Sequence, residues 1–235
     1  KLKMKKVSII IPYYKNIDFF PQTINSIKNQ SFKDYEIIII YDDSSKVELQ
    51  NIKQILKSFK NVKIIINKKN LGAGLSRNKG ANVAKGKYLA FIDSDDLWHK
   101  EKLSHQLKFM KKKKIDLSFT SYWIINSNNK IISYRPVKKI TTYKDLINSC
   151  DIGLSTAIIK RSLFLKNKFS SNKTKEDYSL WLRLSKNMNI YGFNKKLTKW
   201  RKLNNSLSSN TIQKLYDAYN IYHKQEKFSI ITSLF

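Results

Sequence analysis

The chain has 235 residues and carries 46 lysines and arginines against 17 aspartates and glutamates, a formal net charge of +29 at pH 7. Its 41% hydrophobic residues suffice for a buried core, and its apolar runs fall far short of the roughly 20 residues of a membrane-spanning helix. The single cysteine, Cys150, excludes an intramolecular disulfide and fits a cytoplasmic protein.

The positive charge has two explanations. A basic excess attracts anionic partners such as nucleic acid, phospholipid head groups or nucleotide phosphates. Alternatively, most of the charge is lysine in a chain also rich in asparagine and isoleucine, which are all encoded by AT-rich codons. The sequence leaves both explanations open. A nucleic-acid-binding protein is suggested by charge alone, because the chain has no recognisable helix-turn-helix, zinc or RNA-recognition signature.

The first hundred residues alternate between short β-branched segments and longer amphipathic ones. We predict strands at residues 7–11, 35–40, 62–66 and 87–92, and helices near residues 18–29, 46–59 and 73–85. Continuous Ile/Val runs separated by helices indicate an α/β protein with a parallel sheet covered on both faces. Ligands of such sheets bind beyond the carboxyl ends of the strands, which end here in PYYKN, YDDSS and DSDD.

The pattern is less regular beyond residue 98. We predict helices at 99–114, 176–188 and about 210–228, and two strands around an Asn-rich turn within 116–135. No low-complexity linker interrupts the chain. We therefore expect one continuous domain over residues 1–210, followed by a C-terminal helical segment at 211–235.

Five carboxylates follow the second and fourth predicted strands; they are Asp42, Asp43, Asp93, Asp95 and Asp96. Because parallel strands end at one edge of a sheet, these side chains are expected to converge. Crowded carboxylates repel one another unless a cation neutralises them or solvent reaches them. Oxygen-rich clusters select Mg²⁺ or Mn²⁺, which complete their shells with phosphates and water. The alternative is that these residues only cap turns and helices.

The segment NLGAGLSRNKG, between the acidic stretches, has features of an anion-binding helix start. Gly72 and Gly74 would let backbone N–H groups approach a phosphate, and Arg77 would add a bidentate donor. The glycine spacing matches neither the dinucleotide-binding pattern nor the Walker P-loop.

Four segments in order resemble the successive motifs of the family 2 glycosyltransferases over roughly residues 5–210. They are VSIIIPYYKN, SIKNQSFKDYEIIIIYDDSS, NLGAGLSRNKGANVAKGKYLAFIDSDD and EDYSLWLRL. The resemblance implies a GT-A fold, a Rossmann-like domain with a mostly parallel central sheet, with a nucleotide-binding half at 5–98 and an acceptor and catalytic half at 99–210. It also implies inverting transfer from a nucleotide-sugar, expected to be a UDP-sugar, with Mn²⁺ or Mg²⁺ as cofactor.

The resemblance assigns donor-binding roles in the first half of the chain. Pro12 and Tyr14 stand where the family's loop packs against the nucleobase and ribose. One carboxylate of the pair Asp42 and Asp43 is expected to hydrogen-bond the uracil, and Asp43 is favoured. Arg77 matches an arginine that lies near the base or diphosphate.

The stretch DSDD matches the family's D-x-D motif. The resemblance implies that Asp93 faces the ribose, that Ser94 lies between the two acids of the motif, and that Asp95 ligates the metal bridging the diphosphate. Asp96 either supports this metal shell or caps the following helix.

The resemblance assigns the catalytic base to Asp177 in EDYSLW, because a sugar hydroxyl needs a carboxylate to take its proton. Glu176 competes for that role, and its alternative is that of a residue at the helix N-terminus. Trp181 either forms an acceptor platform or packs in the helix core.

The stretch KWRKLNNSLSSN at 199–210 resembles the motif that closes over the diphosphate, which implies a diphosphate contact for Arg201. Leu203 stands where the family has a histidine, so a third protein ligand for the metal is in doubt. The stretch also lacks the Q-x-x-R-W signature of processive synthases. We therefore expect transfer of a single sugar, in the synthesis of a surface polysaccharide, lipopolysaccharide or other glycan.

Two further expectations concern partners. The Lys-rich surface and the Tyr-rich terminal helix could contact the anionic inner face of the cell membrane, where a glycan or lipid-linked acceptor would lie, although Lys111 to Lys114 could equally be a solvated helix end. No nucleic acid is expected. A nucleotide-sugar-binding protein with weak or no catalysis remains an alternative, because of Leu203.

Overall fold

The protein is described by a computed structural model over residues 6–203 and 211–234. Within these residues, ten strands form one sheet. They are β1 (Val7–Tyr13), β2 (Tyr35–Tyr41), β3 (Val62–Ile66), β4 (Tyr88–Phe91), β5 (Leu97–Trp98), β6 (Leu117–Ile125), β7 (Ile131–Arg135), β8 (Ile140–Thr141), β9 (Ile158–Lys160) and β10 (Ile190–Arg201).

Helices connect and cover these strands. They are α1 (Phe20–Lys28), α2 (Lys46–Leu56), α3 (Ala73–Val83), α4 (Lys102–Lys113), α5 (Tyr143–Asn148), α6 (Arg161–Lys166), α7 (Glu176–Ser185), α8 (Thr211–Asn220) and α9 (Ile230–Leu234). A short 3₁₀ helix spans Leu154–Thr156, and a π-helical turn, Ile221–Gln225, continues α8.

The strand order is β3-β2-β1-β4-β9-β6-β10-β5, with β7 paired to β6 and β8 paired to β10. The first four strands are mutually parallel, β9 runs antiparallel to β4 and β6, and β10 is parallel to β6. The four strands and three helices predicted in the first hundred residues are confirmed to within a few residues. The expected α/β architecture with a mostly parallel central sheet is therefore confirmed.

The Ile/Val runs form the centre of the sheet because both of its faces are covered. Successive residues of β1 and β2 alternate between two apolar clusters. One cluster takes Ile10 and Ile38 together with side chains of α3, α6 and α7. The other takes Ile9 and Ile37 together with side chains of α1, α2 and α4. This burial on both faces explains why the strands are continuously apolar.

The sequence pattern did not predict β5, β8, β9 or β10. Three of them have only two or three residues, which is too short for a periodic signal. β10 is longer, but it contains the run Asn194 to Lys196 and pairs with β6 through register shifts, so its apolar alternation is broken. Its partner strand β6 was predicted, but the pairing of β6 with β10 joins segments that are distant in the sequence.

The terminal helix predicted to about residue 228 is present as α8 and the π-helical turn, and it ends at Gln225. Among the residues that the structure describes, none of the helices combines the length and apolar character needed to cross a bilayer. The predicted division into residues 1–210 and 211–235 stays a prediction, and part of the motif at 199–210 lies outside the described residues.

Candidate active site

The loops that follow β1, β2 and β4 are joined by hydrogen bonds at one edge of the sheet. The Asn16 side-chain amide donates to Ser94 Oγ over 2.9 Å, and Thr23 Oγ1 donates to the Ser94 carbonyl over 2.9 Å. The backbone N–H of Lys15 donates to Asp43 Oδ2 over 3.3 Å. The polar strand ends singled out in the sequence therefore converge.

Asp42 fixes the start of α3. Its carboxylate accepts hydrogen bonds from Asn67 Nδ2 at 2.7 Å and from the backbone N–H groups of Leu71 and Gly72, each at 2.8 Å. Gly72 has a φ of +80°, and an added Cβ would meet no atom within 4 Å, so the left-handed backbone rather than crowding requires glycine. Asp42 is buried, and its carboxylate is used to shape this loop.

The other predicted base-contacting residues lie at the rim of the same edge. Asp43 is buried and accepts a 2.6 Å hydrogen bond from the N–H of Ser44. Pro12 lies within β1 opposite Ile40, and the Tyr14 side chain just beyond the strand is exposed. Of these residues, Tyr14 therefore offers the most accessible side-chain surface.

Arg77 joins the acidic loop after β4 to helix α7. Its Nη1 donates to Glu176 Oε1 over 2.6 Å, and its Nη2 forms an ion pair with Asp93. The guanidinium is only 4% exposed. Burial disfavours the charged form, but the carboxylates of Asp93 and Glu176 outweigh it and raise the pKa of Arg77. This one side chain therefore holds α3, the acidic loop and α7 together.

The acidic loop holds three carboxylates, of which Asp95 and Asp96 are poorly solvated. Burial, followed by the negative charge of Asp93, raises the pKa of Asp95 to about 6. Asp96 is 1% exposed, and burial followed by the charge of Asp95 raises its pKa well above the ordinary range. Asp96 Oδ1 accepts a 2.8 Å hydrogen bond from the N–H of Arg201, whereas its buried Oδ2 has no partner among the described residues.

This chemistry fits a divalent cation. Carboxylate oxygens are the hard ligands that Mg²⁺ and Mn²⁺ prefer, and a cation would relieve the repulsion that raises both pKa values. Within residues 6–203 and 211–234, however, no three His, Cys, Asp or Glu side chains converge in an arrangement that could hold an ion.

Asp177 is the second residue of α7 and lies in the electrostatic environment of the Arg77 ion pairs. Its Oδ1 accepts a 2.8 Å hydrogen bond from the N–H of Tyr178. Burial, followed by the charge of Glu176, raises the pKa of Asp177 to about 7; Arg77 opposes this rise and Asp93 adds to it. A carboxylate with this pKa can accept a proton near neutral pH.

The burial of two side chains decides between the alternatives for Trp181 and opposes the ligand contact expected of Arg201. Trp181 is fully buried in the apolar cluster formed with α3 and α6, which excludes an acceptor platform and leaves the helix-core alternative. Arg201 is buried, and its five guanidinium N–H groups are used within the protein, so it is not available for the expected diphosphate contact. Their acceptors are the carbonyls of Asp95, Asn126 and Ser127 and the side chains of Gln22 and Asn129.

The alternatives left open for two acids are now decided by their partners. Glu176 is buried against Arg77, which removes it from competition for the base. Asp96 does not cap α4, which begins after Glu101 without a side-chain cap, and instead accepts from the Arg201 backbone.

Two residues that support the acidic loop were not predicted from the sequence. Ser155, in the 3₁₀ helix, accepts a 3.0 Å hydrogen bond from the N–H of Asp93 through its Oγ. Its carbonyl accepts from Trp98 Nε1 over 2.8 Å. The fully buried Lys102 donates to the neighbouring Thr156 carbonyl over 2.9 Å. Ser155 stands in a segment without periodicity or motif, and Lys102 lies in a predicted helix whose pattern does not indicate a buried lysine, so only their tertiary contacts identify them.

Replacing Asp96 by asparagine should raise the melting temperature at about pH 7.5 by about 2–5 °C. In the folded state the pKa of Asp96 is raised. The protonated carboxyl group therefore stabilises the fold at low pH, and this stabilisation is lost as the pH rises from the unfolded-state pKa, near 3.9, through the folded-state pKa. Asparagine keeps the Oδ1 acceptor and removes the charge, so the gain should be smaller at about pH 5.

Thermal unfolding at the two pH values checks this prediction. Asp116→Asn is the matched control, because Asp116 is half-exposed and pairs with Lys160 over 3.1 Å, so this change should bring no gain. A lower melting temperature for Asp96→Asn at the higher pH would mean that the ionised carboxylate stabilises the fold.

The sequence also matches known proteins. Residues 8–171 match the family model described as "Glycosyl transferase family 2". The chain is 32% identical over 223 residues to the putative teichuronic acid biosynthesis glycosyltransferase TuaG of Bacillus subtilis, a match that covers 94% of this chain and 88% of TuaG. It is 34% identical over 218 residues to WfgD of Escherichia coli, covering 92% of this chain and 84% of WfgD. WfgD is named a UDP-Glc:alpha-D-GlcNAc-diphosphoundecaprenol beta-1,3-glucosyltransferase.

Not all relatives have this length. The chain is 37% identical over 199 residues to the uncharacterized glycosyltransferase RC0461 of Rickettsia conorii, and it spans 33% of that protein. Among solved structures, S. aureus TarS 1-349 in complex with UDP-GlcNAc matches with a TM-score of 0.77 and 23% identity, covering 97% of this chain and 66% of that one. This likeness supports the GT-A fold. The family match and the TuaG relationship together show that the chain belongs to glycosyl transferase family 2.

Proposed function

We propose that the protein transfers a single sugar from a UDP-sugar to an acceptor hydroxyl, with inversion, in the synthesis of a bacterial surface glycan. The observation that carries this proposal is the Arg77 bridge, because it joins the acidic loop to the helix that bears Asp177. The names of WfgD and TarS, with UDP-Glc and UDP-GlcNAc, support a UDP-sugar, and those of TuaG and WfgD support a glycan or lipid-linked acceptor.

We assign the nucleotide to the edge formed by the loops after β1, β2 and β4. Tyr14 and Pro12 would pack against the base and ribose, and Asp43 would accept from the uracil. Its long 3.3 Å contact with the Lys15 N–H leaves Oδ2 able to exchange partners. Asp42 would act indirectly, because it holds Gly72 and the start of α3 in place. Asp93 and Ser94 would line the ribose side of the donor.

The cofactor assigned to this site is Mn²⁺ or Mg²⁺. Asp95 would hold it, and Asp96 would contribute its unpartnered oxygen or the negative field of the loop. When bound, the cation supplies positive charge that offsets the charge developing on the diphosphate leaving group. The protein's own contribution is to crowd carboxylates where an ion is favourable and to fix the loop through Ser155 and Arg201.

Asp177 is assigned the proton transfer. Its carboxylate takes the proton of the acceptor hydroxyl while that oxygen forms a bond to the anomeric carbon. The bond between the anomeric carbon and the diphosphate oxygen breaks on the opposite face, so the configuration inverts without a covalent glycosyl-enzyme. A pKa of about 7 is suited to this role, because a base is most effective when its pKa lies near the working pH.

The second candidate is a nucleotide-sugar-binding protein without turnover. It is favoured by Leu203 in place of the expected histidine, together with the lack of a three-ligand protein site within the described part of the chain.

We place the active protein at the cytoplasmic face of the membrane because the diphosphoundecaprenol-linked acceptor in the name of WfgD is a lipid.

Asp177→Asn should lower the transfer rate by at least about 100-fold and leave donor binding intact, because it removes only the base. Donor binding is measured as the rise in melting temperature caused by UDP with Mn²⁺. Asp95→Ala is the complementary variant, and we expect it to lose the Mn²⁺-dependent part of that rise. Transfer by Asp177→Asn at the unmodified protein's rate would contradict the assignment. UDP binding without transfer by the unmodified protein would favour the second candidate.

The transfer rate should rise with pH, reach half its maximum near pH 7 and level off about one pH unit higher, because Asp177 must be deprotonated to act. Glu176→Gln removes a negative charge beside Asp177, so the pKa of Asp177 falls and the rising limb moves to lower pH. The pH profile of kcat measures both effects, with Asp116→Asn as the charge-matched control. An unchanged limb in Glu176→Gln would mean that another group sets the profile.

A further inference from the structure

The described C-terminal segment, residues 211–234, carries a row of exposed apolar side chains. Ile212 is 82% exposed and Leu215 66% exposed, and with Tyr216 they lie at i, i+3 and i+4 on one side of α8. α9 contacts α8 and exposes Ile230 and Ile231. We call Ile212, Leu215 and Tyr216 the terminal apolar face. Clustered apolar exposure of this kind marks an interaction surface.

The exposed charged groups of residues 211–234 are all basic. Lys224 and Lys227 are exposed, and Lys214 is partly exposed. Both carboxylates of residues 211–234 are buried: Asp217 accepts hydrogen bonds from Thr174, and Glu226 pairs with Lys186 over 2.8 Å. The described segment therefore combines an apolar face with exposed lysines and no exposed acid.

The inner side of the same segment is attached to the helix that carries the proposed base. The N–H and Oγ1 of Thr174 each donate to Asp217 Oδ2 over 2.8 Å. Ser179 Oγ donates to Gln225 Oε1 over 2.5 Å. Thr174 and Ser179 lie on either side of Asp177 in the sequence. A contact that fixes the position of α8 therefore also fixes the position of the start of α7.

We propose that the terminal apolar face docks the protein on an anionic lipid bilayer. Ile212 and Leu215 enter the boundary between head groups and acyl chains, while Lys224 and Lys227 contact the anionic head groups. The chemistry favours a lipid surface over a second copy of the chain, because a net charge of +29 opposes self-association through a segment with exposed lysines.

This inference rests on the proposed function in one respect, the lipid-linked acceptor. Such an acceptor presents its sugar at the membrane surface, so a docked α8 keeps the start of α7, and with it Asp177, close to that surface. Docking thereby lets the protein reach its acceptor by diffusion along the membrane rather than through solution.

Co-sedimentation with vesicles tests the proposal on the full chain. We expect binding to vesicles of phosphatidylcholine with phosphatidylglycerol and not to vesicles of phosphatidylcholine alone. Lys224→Glu with Lys227→Glu should lower the partition coefficient at least about tenfold. Ile212→Ser with Leu215→Ser should also lower it and leave a residual binding that salt removes.

Two control pairs carry the same changes elsewhere. Lys111→Glu with Lys112→Glu alters the exposed end of α4, and Ile131→Ser with Ile132→Ser alters exposed residues of β7. Both controls should bind like the unmodified protein. An equal loss in the lysine control would assign binding to overall charge and overturn the proposal. A dimer in solution that Ile212→Ser with Leu215→Ser dissolves, without vesicle binding, would assign the face to a second copy.

Separate readouts distinguish this proposal from the proposed function. The UDP-dependent thermal shift reports whether each variant is folded and binds donor. Surface-dependent vesicle binding by a protein that transfers no sugar would overturn the function and support docking. Transfer to a water-soluble acceptor by a protein that does not bind vesicles would support the proposed function and overturn the docking proposal.

Discussion

The buried guanidinium of Arg77 is the constraint on which the site depends. A buried charge is tolerated only when it is paired, and the partners of Arg77 are Asp93, 16 residues away, and Glu176, 99 residues away. One comes from the loop after β4 and the other from the first turn of α7. The pairing of this one side chain with both carboxylates therefore brings together two segments that are far apart in the sequence, and Asp177 lies in the second of them.

Burial, followed by the charge of neighbouring carboxylates, raises the pKa values of the acids that do not pair with Arg77. Burial raises the pKa of Asp95 to about 6 and that of Asp177 to about 7, and it raises the pKa of Asp96 well above its ordinary range. Such groups lower the stability of the folded state at neutral pH, a disadvantage found where a site is built for function. Here the buried carboxylates of Asp95 and Asp96 offer a favourable position for a cation, and the carboxylate of Asp177 offers a proton acceptor.

Much of the fold could be predicted from local pattern, because the apolar runs of β1, β2 and β4 are largely buried and each ends in a polar motif. The acidic loop and Asp177 were found through motifs. Side-chain partners could not be predicted: Arg201 faces inward and Trp181 is buried because of contacts made across the sheet. Ser155 supports the acidic loop from a segment without any periodic signal. Long-range packing decides these details, and single-sequence patterns do not encode it.

A double-mutant cycle between Arg77 and Glu176 tests most directly whether this ion pair ties the two halves of the site together. The free energies of unfolding of Arg77→Gln, Glu176→Gln and the double variant are compared with that of the unmodified protein. The account predicts that both single changes destabilise the fold and that the double change falls short of their sum by about 1–3 kcal/mol. Additive effects, within about 0.5 kcal/mol, would contradict it.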